Sequence, residues 1–168
     1  MALRPVSEPD LPMLEQLTQD PAQTGQFEWF GWWDLQHYRQ GWDENRLIGA
    51  DGGTLVVTHG SERLGLVSWR RHAVTKTAYC FEIGVILRAH ARGHGYGTEA
   101  QRLLARYLFA HTPVHRIFAG TEAENIAEQR ALEKAGFTRE GVHRGTGWRD
   151  GAWRDGVFYG LLRTDLDV

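Results

Sequence analysis

A single cysteine, Cys80, occurs in 168 residues, so no internal disulfide framework exists. It stands in an apolar, strand-like run, where a thiol reads as buried and unreactive. Long hydrophobic runs are missing as well. No stretch approaches the ~18 consecutive apolar residues of a membrane span. The opening residues Met1-Ala2-Leu3-Arg4-Pro5 lack a signal peptide's apolar core, so a cytoplasmic location with no membrane contact is expected. There is no basic excess: 19 Lys and Arg face 21 Asp and Glu, for a formal net charge of −2. The isoelectric point near 6.4 argues against a dedicated nucleic-acid binder. Repeats, low-complexity tracts and linkers are also lacking. What remains is ordinary for one folded core: 42% hydrophobic and 24% charged residues, read as one α/β domain over 1–168. The oddity is seven tryptophans, four of them between Trp29 and Trp42.

The patterning predicts a first strand at 2–6. A helical stretch follows, opened by Pro9 and Pro12, carrying Leu11, Leu14 and Leu17, and ended by Asp20-Pro21. Residues 22–50 read as irregular and aromatic-rich, broken by Gly25, Gly31, Gly41 and Gly49, with a short helix near 33–40. β-Branched and alternating patterns predict strands at 54–58, at 64–69 with an extension toward His72, and at 79–87. In the last of these, Phe81, Ile83, Val85 and Leu87 share one face, and Glu82, Gly84 and Ile86 the other. Ala100, Leu103, Leu104, Tyr107 and Leu108 follow a helical period that Thr112-Pro113 stops. A strand at 116–121 leads to Asn125, which reads as an N-cap with Glu128 at the capping-box position. Gly136 reads as the C′ glycine of that helix. Asp150-Gly151 marks a hairpin between runs at 137–144 and 148–162.

The most informative stretch joins the strand at 79–87 to the next helix. Gly93, Gly95 and Gly97 let backbone N–H groups converge, because no Cβ blocks the approach. The helix behind them adds its partial positive end, and Arg92 and Arg88 add full charges. Such a turn seats a phosphate or pyrophosphate. It is not a dinucleotide fingerprint, because Thr98 stands where the last glycine would be, and no Gly-Lys-Ser/Thr makes it a P-loop.

Arg92-Gly93-His94-Gly95-Tyr96-Gly97 fits [Arg/Gln]-x-x-Gly-x-[Gly/Ala] and resembles the acyl-CoA motif of the GNAT superfamily of N-acetyltransferases. Arg130-Ala131-Leu132-Glu133-Lys134-Ala135-Gly136-Phe137 is similar to the segment after that family's second CoA element. The likeness runs from about Leu64 to Leu162 and is greatest to the ribosomal-protein N-terminal (RimJ/RimL-like) branch. It implies a mixed, mostly antiparallel sheet that splays after the strand at 80–87, flanked by helices. It also implies acetyl-CoA as co-substrate, its pantetheine along the backbone of Val85, Ile86 and Leu87. The pyrophosphate would rest on Arg92, Gly93, His94, Gly95, Tyr96, Gly97 and Thr98. Asn125 would contact the pantetheine or the developing thiolate, with Ala131 to Lys134 along the cleft. The implied acceptor is a small-molecule or peptide amine, and the implied state a monomer or homodimer.

Acetyl transfer to an amine needs a deprotonated nitrogen, donors for a developing oxyanion, and help for the departing thiolate. Glu82 is the sequence's candidate base, since burial in an apolar strand would raise its carboxyl. The alternative is a solvated strand residue. The backbone N–H of Val85 or Ile86 is the candidate oxyanion donor. The tyrosine acid of many family members is replaced by Leu132, and the serine often three after the asparagine is Glu128. Trp29, Trp32, Trp33 and Trp148 are candidate acceptor walls, with plain core as the alternative. His90 and His94 straddle a turn, so no metal is expected. Two other activities fit the same likeness: another donor (a different acyl-CoA or aminoacyl-tRNA), or a non-catalytic acyl-CoA sensor.

Overall fold

In a computed structural model, which describes residues 1–166, the chain builds one eight-stranded mixed sheet. The strands are β1 (Ala2–Pro5), β2 (Ile48–Gly49), β3 (Gly52–His59), β4 (Glu62–Ala73), β5 (Tyr79–Leu87), β6 (Arg116–Glu122), β7 (Thr138–Arg149) and β8 (Ala152–Leu162). Their order is β1-β3-β4-β5-β6-β8-β7, with β2 paired to β3. Neighbours run antiparallel except β5 and β6, which are parallel. That one parallel step needs a long crossover. The crossover contains a short 3-10 turn and helix α4 (Tyr96–His111).

The alternating sides of the strands bury two separate clusters. On one face, Phe81, Ile83, Val67 and Ile117 pack with Leu104 and Leu108 of α4 and Leu132 of α5 (Ile126–Ala135). On the other, Val56, Leu66 and Ile86 meet Leu11, Leu14 and Leu17 of α1 (Leu11–Gln19) and Tyr38 of α3 (His37–Asn45). The expected stripe on α4 is turned by one position. Ala100, Gln101, Leu104, Ala105, Leu108 and Phe109 are buried, while Leu103 and Tyr107 border a smaller cavity against β1.

Residues 22–50 are less irregular than the sequence indicates. Pro21–Thr24 form one turn of helix, α2, and the helix expected near 33–40 lies at 37–45 as α3. Its apolar face is short, with Tyr38 its one buried residue, so helical periodicity gave a weak boundary signal. Asp150 (φ 50°) and Gly151 (φ 73°) both take left-handed backbone, which closes β7 onto β8 in a tight hairpin.

Candidate active site

β5 and β6 pair only at Phe81–Ile117 and Glu82–Phe118 and then part. Beyond Glu82 one edge of β5 has no neighbour. Which groups line that edge follows from the ladder on its other side. The Arg88 N–H donates to Leu64 O across to β4 (2.8 Å), and inward-pointing groups recur every second residue. The amides of Ile86 and Gly84 therefore face β4, and those of Val85 and Leu87 face the gap. Of the two candidate oxyanion donors, the geometry turns Val85 toward the gap and engages Ile86 in the sheet.

The gap leads into the glycine turn. Gly93 (φ 77°) and Gly95 (φ 81°) occupy left-handed backbone, and nothing lies within 4 Å of where a Cβ would stand on either. Gly95 is the N-cap of α4, and no side chain caps that end. The first N–H groups of a helix have no intrahelical partner, so they point outward beside the positive end of the helix dipole. The His94 ring stacks on Tyr96, with centroids 5.9 Å apart. The residues present fit a pyrophosphate on the turn and an extended pantetheine along Val85 and Leu87.

Arg92 does not extend toward that seat. Its Nε donates to Leu87 O at 2.9 Å, and its Nη2 donates to Gln23 O. It ties the end of β5 to α2. Gly25 (φ 89°) makes room, since a Cβ there would stand 2.8 Å from the guanidinium. Asn125 caps α5: its Oδ1 accepts from the Glu128 N–H (3.3 Å), and its Nδ2 donates to Thr121 Oγ1 (3.0 Å). The second amide hydrogen of Asn125 makes no hydrogen bond among the described residues.

A cleft of about 690 Å³ opens where the strands part. Its walls include Glu82, Gly84 and Val85 of β5, Arg70 of β4, His37 of α3, and Phe30. Glu82 is not the buried free carboxyl expected. Its Oε2 accepts from Arg70 Nε (2.5 Å) and lies 2.8 Å from His72 Nε2, because antiparallel pairing sets β4 directly beside it. The tryptophans also differ from expectation. Trp29, Trp32, Trp33 and Trp148 are absent from the cleft wall. Trp32 is 77% exposed and packs edge-on against Trp29, while Trp148 is 55% exposed and pairs with Trp153 on the terminal hairpin. Phe30 and His37 take the wall positions instead.

Two further carboxyls border the cleft: Glu28, on the loop between α2 and α3, and Glu128, on the first turn of α5. Glu28 is accessible from the cleft, yet the surrounding walls displace enough water to push its carboxyl up to about 7, against the pull of Arg92. Burial and then repulsion from Glu28 push Glu128 up to about 7, opposed by a hydrogen bond from Gln101. Neither was singled out from the sequence as a group for the chemistry. The available signal was slight: Glu128 stands where the resembling family often has a serine, and Glu28 heads the aromatic run.

Elsewhere the singled-out residues have structural partners. His90 pairs with Glu62 (2.8 Å), and Arg71 lies over the Tyr79 ring. Leu132 is fully buried, and Cys80 is buried with its thiol pushed up by that burial. Among the described residues no group of three His, Cys, Asp or Glu side chains is arranged to hold a metal, and no helix is long and apolar enough to cross a membrane.

A parallel step that opens beside a glycine-rich helix start defines an acyltransferase of the GNAT type. The acetyltransferase (GNAT) domain matches residues 1–138, and the chain belongs to that family. Among individual relatives, the Probable N-acetyltransferase YjcK of Bacillus subtilis is 45% identical over 62 residues. That match covers 37% of this chain and only about a third (34%) of the relative. The ribosomal-protein-alanine N-acetyltransferase of Brucella melitensis superposes with a TM-score of 0.77 at 26% identity, covering 96% of this chain and 99% of that one. The spermidine N-acetyltransferase of Vibrio cholerae, solved with CoA and spermine, has a TM-score of 0.81 at 17% identity, covering 98% and 96%. At that identity the likeness is one of fold.

Proposed function

We propose that the protein transfers an acetyl group from acetyl-CoA to the primary amine of a small molecule or peptide bound in the cleft. The observation that carries this reading is the unpaired edge of β5 running straight into an uncapped helix start. Val85 and Leu87 offer backbone groups to an extended pantetheine arm, and the amides of residues 93–98 offer a seat to its diphosphate. The thioester would then lie where β5 and β6 part, with the Val85 N–H toward its carbonyl oxygen. The remaining Asn125 amide hydrogen is available to the sulfur. Arg92 ties α2 to the end of β5 rather than holding the phosphates.

The cleft supports an amine acceptor. Three carboxyls border it, with Arg70 and His72 serving only Glu82. The named acceptors of the two structural relatives, spermidine and ribosomal-protein alanine, are both amines, which fits an acidic cleft. Whether this chain takes a protein N-terminus, as in the RimJ/RimL-like branch, or a small polyamine is decided by a thiol-release assay. Purified protein is mixed with acetyl-CoA and with spermidine, butylamine or an alanine tripeptide, and free CoA is followed. Release that depends on one of these amines is expected. Tight CoA binding with no release across the panel would make the protein a sensor instead of an enzyme.

A further inference from the structure

Glu28 and Glu128 are the two groups in the cleft whose chemistry the fold leaves unused. Glu128 occupies the third position of α5. A glutamate there ordinarily reaches back to the N-cap N–H and completes a capping box. Here the Asn125 N–H is already taken by Glu122 O at 2.9 Å. The Glu128 side chain turns away from the cap and into the cleft, where its Oε1 accepts from Gln101 Nε2. Gln101 is only 2% exposed, and its Oε1 has no hydrogen-bond partner. A buried amide with one end unmatched is costly to keep. Its bonded end holds Glu128 in place, while its oxygen stays buried behind that carboxyl's anchor without a partner.

The contrast with the other carboxylates is direct. Glu82 has Arg70 and His72, and Glu122 has Arg149. Among the described residues Glu28 and Glu128 make no ion pair. The charged and titratable groups around them are few. Arg92 acts on Glu28 from a distance, and Glu82 and Arg70 line the same cleft, with His72 bonded to Glu82. His37 of α3 stands on the wall, and Gln101 of α4 is neutral. Two carboxyls that line one cleft, act on each other electrostatically and make no ion pair suit a cation.

Resting on the acetyl-transfer reading, we propose that Glu28 and Glu128 together seat the ammonium of the acceptor and take its proton. The ammonium passes one proton to the carboxylate pair and becomes a free amine. Its nitrogen then bonds to the acetyl carbonyl carbon as the carbon–sulfur bond breaks. The second proton lost by nitrogen ends on the CoA sulfur, and the proton on the carboxyl pair leaves to water through the cleft mouth. The raised carboxyls make this exchange feasible near neutrality, since a base works best with its pKa near the working pH. The two titrate as one coupled unit.

The test compares the wild-type chain with Glu128→Gln and Glu28→Gln, each checked for an unchanged melting curve. Spermidine and acetyl-CoA serve as substrates over about pH 5 to 9. Wild-type kcat/KM should rise through about pH 7 and level off, in line with the titration of both carboxyls. Glu128→Gln should lose roughly 100-fold at neutral pH and keep rising at high pH, where free amine accumulates unaided. CoA affinity should stay within about twofold, since neither side chain belongs to the phosphate seat. Carboxyl 13C resonances supply a readout independent of turnover. The Glu128 midpoint should fall in Glu28→Gln, because a like charge has been removed. A wild-type pH profile in Glu128→Gln, or an unmoved Glu128 midpoint in Glu28→Gln, overturns the proposal. If the wild type binds CoA but transfers to no amine, the acetyl-transfer reading fails, and the carboxyl titration still decides whether the pair is coupled.

Discussion

The two sides of the gap are built differently. The donor side is a strand end, a glycine turn and a sixteen-residue helix. The acceptor side is a loop between a one-turn helix and α3, with exposed aromatics and two carboxyls far apart in the chain. On the donor side the proposed ligand-facing atoms are backbone amides, fixed by φ angles that neighbouring glycines allow. On the acceptor side they are side chains, placed by what they pack against. A backbone seat tolerates side-chain change but not a change of backbone conformation. A side-chain receptor has the opposite sensitivity.

The comparison can be broken from either side. The largest effect is expected for Gly95→Val. A β-branched residue at φ 81° is strained, and its side chain would fill the seat. CoA affinity measured by calorimetry well below the melting transition should fall about 100-fold or more, and the melting temperature should fall with it, because the left-handed backbone strains any side chain there even though the space is open. Arg92→Ala attacks the tie between the sides, removing its bonds to Leu87 O and Gln23 O. Apparent KM should rise about tenfold for both acetyl-CoA and amine, as expected when a positioning contact is lost. A rise for one substrate alone would show that the two sides are not coupled through this residue.

Phe30→Ala sharpens the contrast, since Phe30 lines the cleft and is distant from the glycine turn in the chain. The amine KM should rise a few-fold, at about 1 kcal/mol for lost apolar contact, with CoA affinity unchanged. The smallest effect on the site, and one on stability alone, concerns Asp10. Arg4, with bonds of 2.7 and 2.8 Å, holds its carboxyl well below the usual range, helped by the Ser7 hydroxyl and amide. A depressed carboxyl adds stability that is fully present above the ordinary carboxylate range and is lost as pH falls below it. Thermal melts between pH 7 and 3 should lose about 3 °C less in Asp10→Asn than in the wild type.

The donor side was largely legible in the sequence because its information is local. Gly93 and Gly95 follow an alternating strand and precede a periodic helix, so the turn, the cap at Asn125 and the hairpin at Asp150-Gly151 could each be read from a few adjacent residues. The acceptor side resisted the same reading. Aromatic density pointed to Trp29, Trp32, Trp33 and Trp148, yet the cleft wall holds Phe30 and His37. In an irregular segment, composition does not say which way a side chain turns. Arg92 looked like a phosphate ligand by position, but the carbonyls of Leu87 and Gln23 compete for its guanidinium, and Gln23 comes from a distant part of the chain.

By itself the sequence determined where the chain turns, because glycine φ freedom, capping and hydrophobic period act over a few residues. It also pointed to the proposed diphosphate seat, since the candidate groups are consecutive amides. Only the tertiary structure decided which carboxyls stay without a counterion. Antiparallel pairing puts Arg70 and His72 on Glu82, whereas the fold brings Glu28 and Glu128 to one cleft without an ion pair for either among the described residues. Charge pairing depends on distance in space, and no periodicity along the chain encodes it.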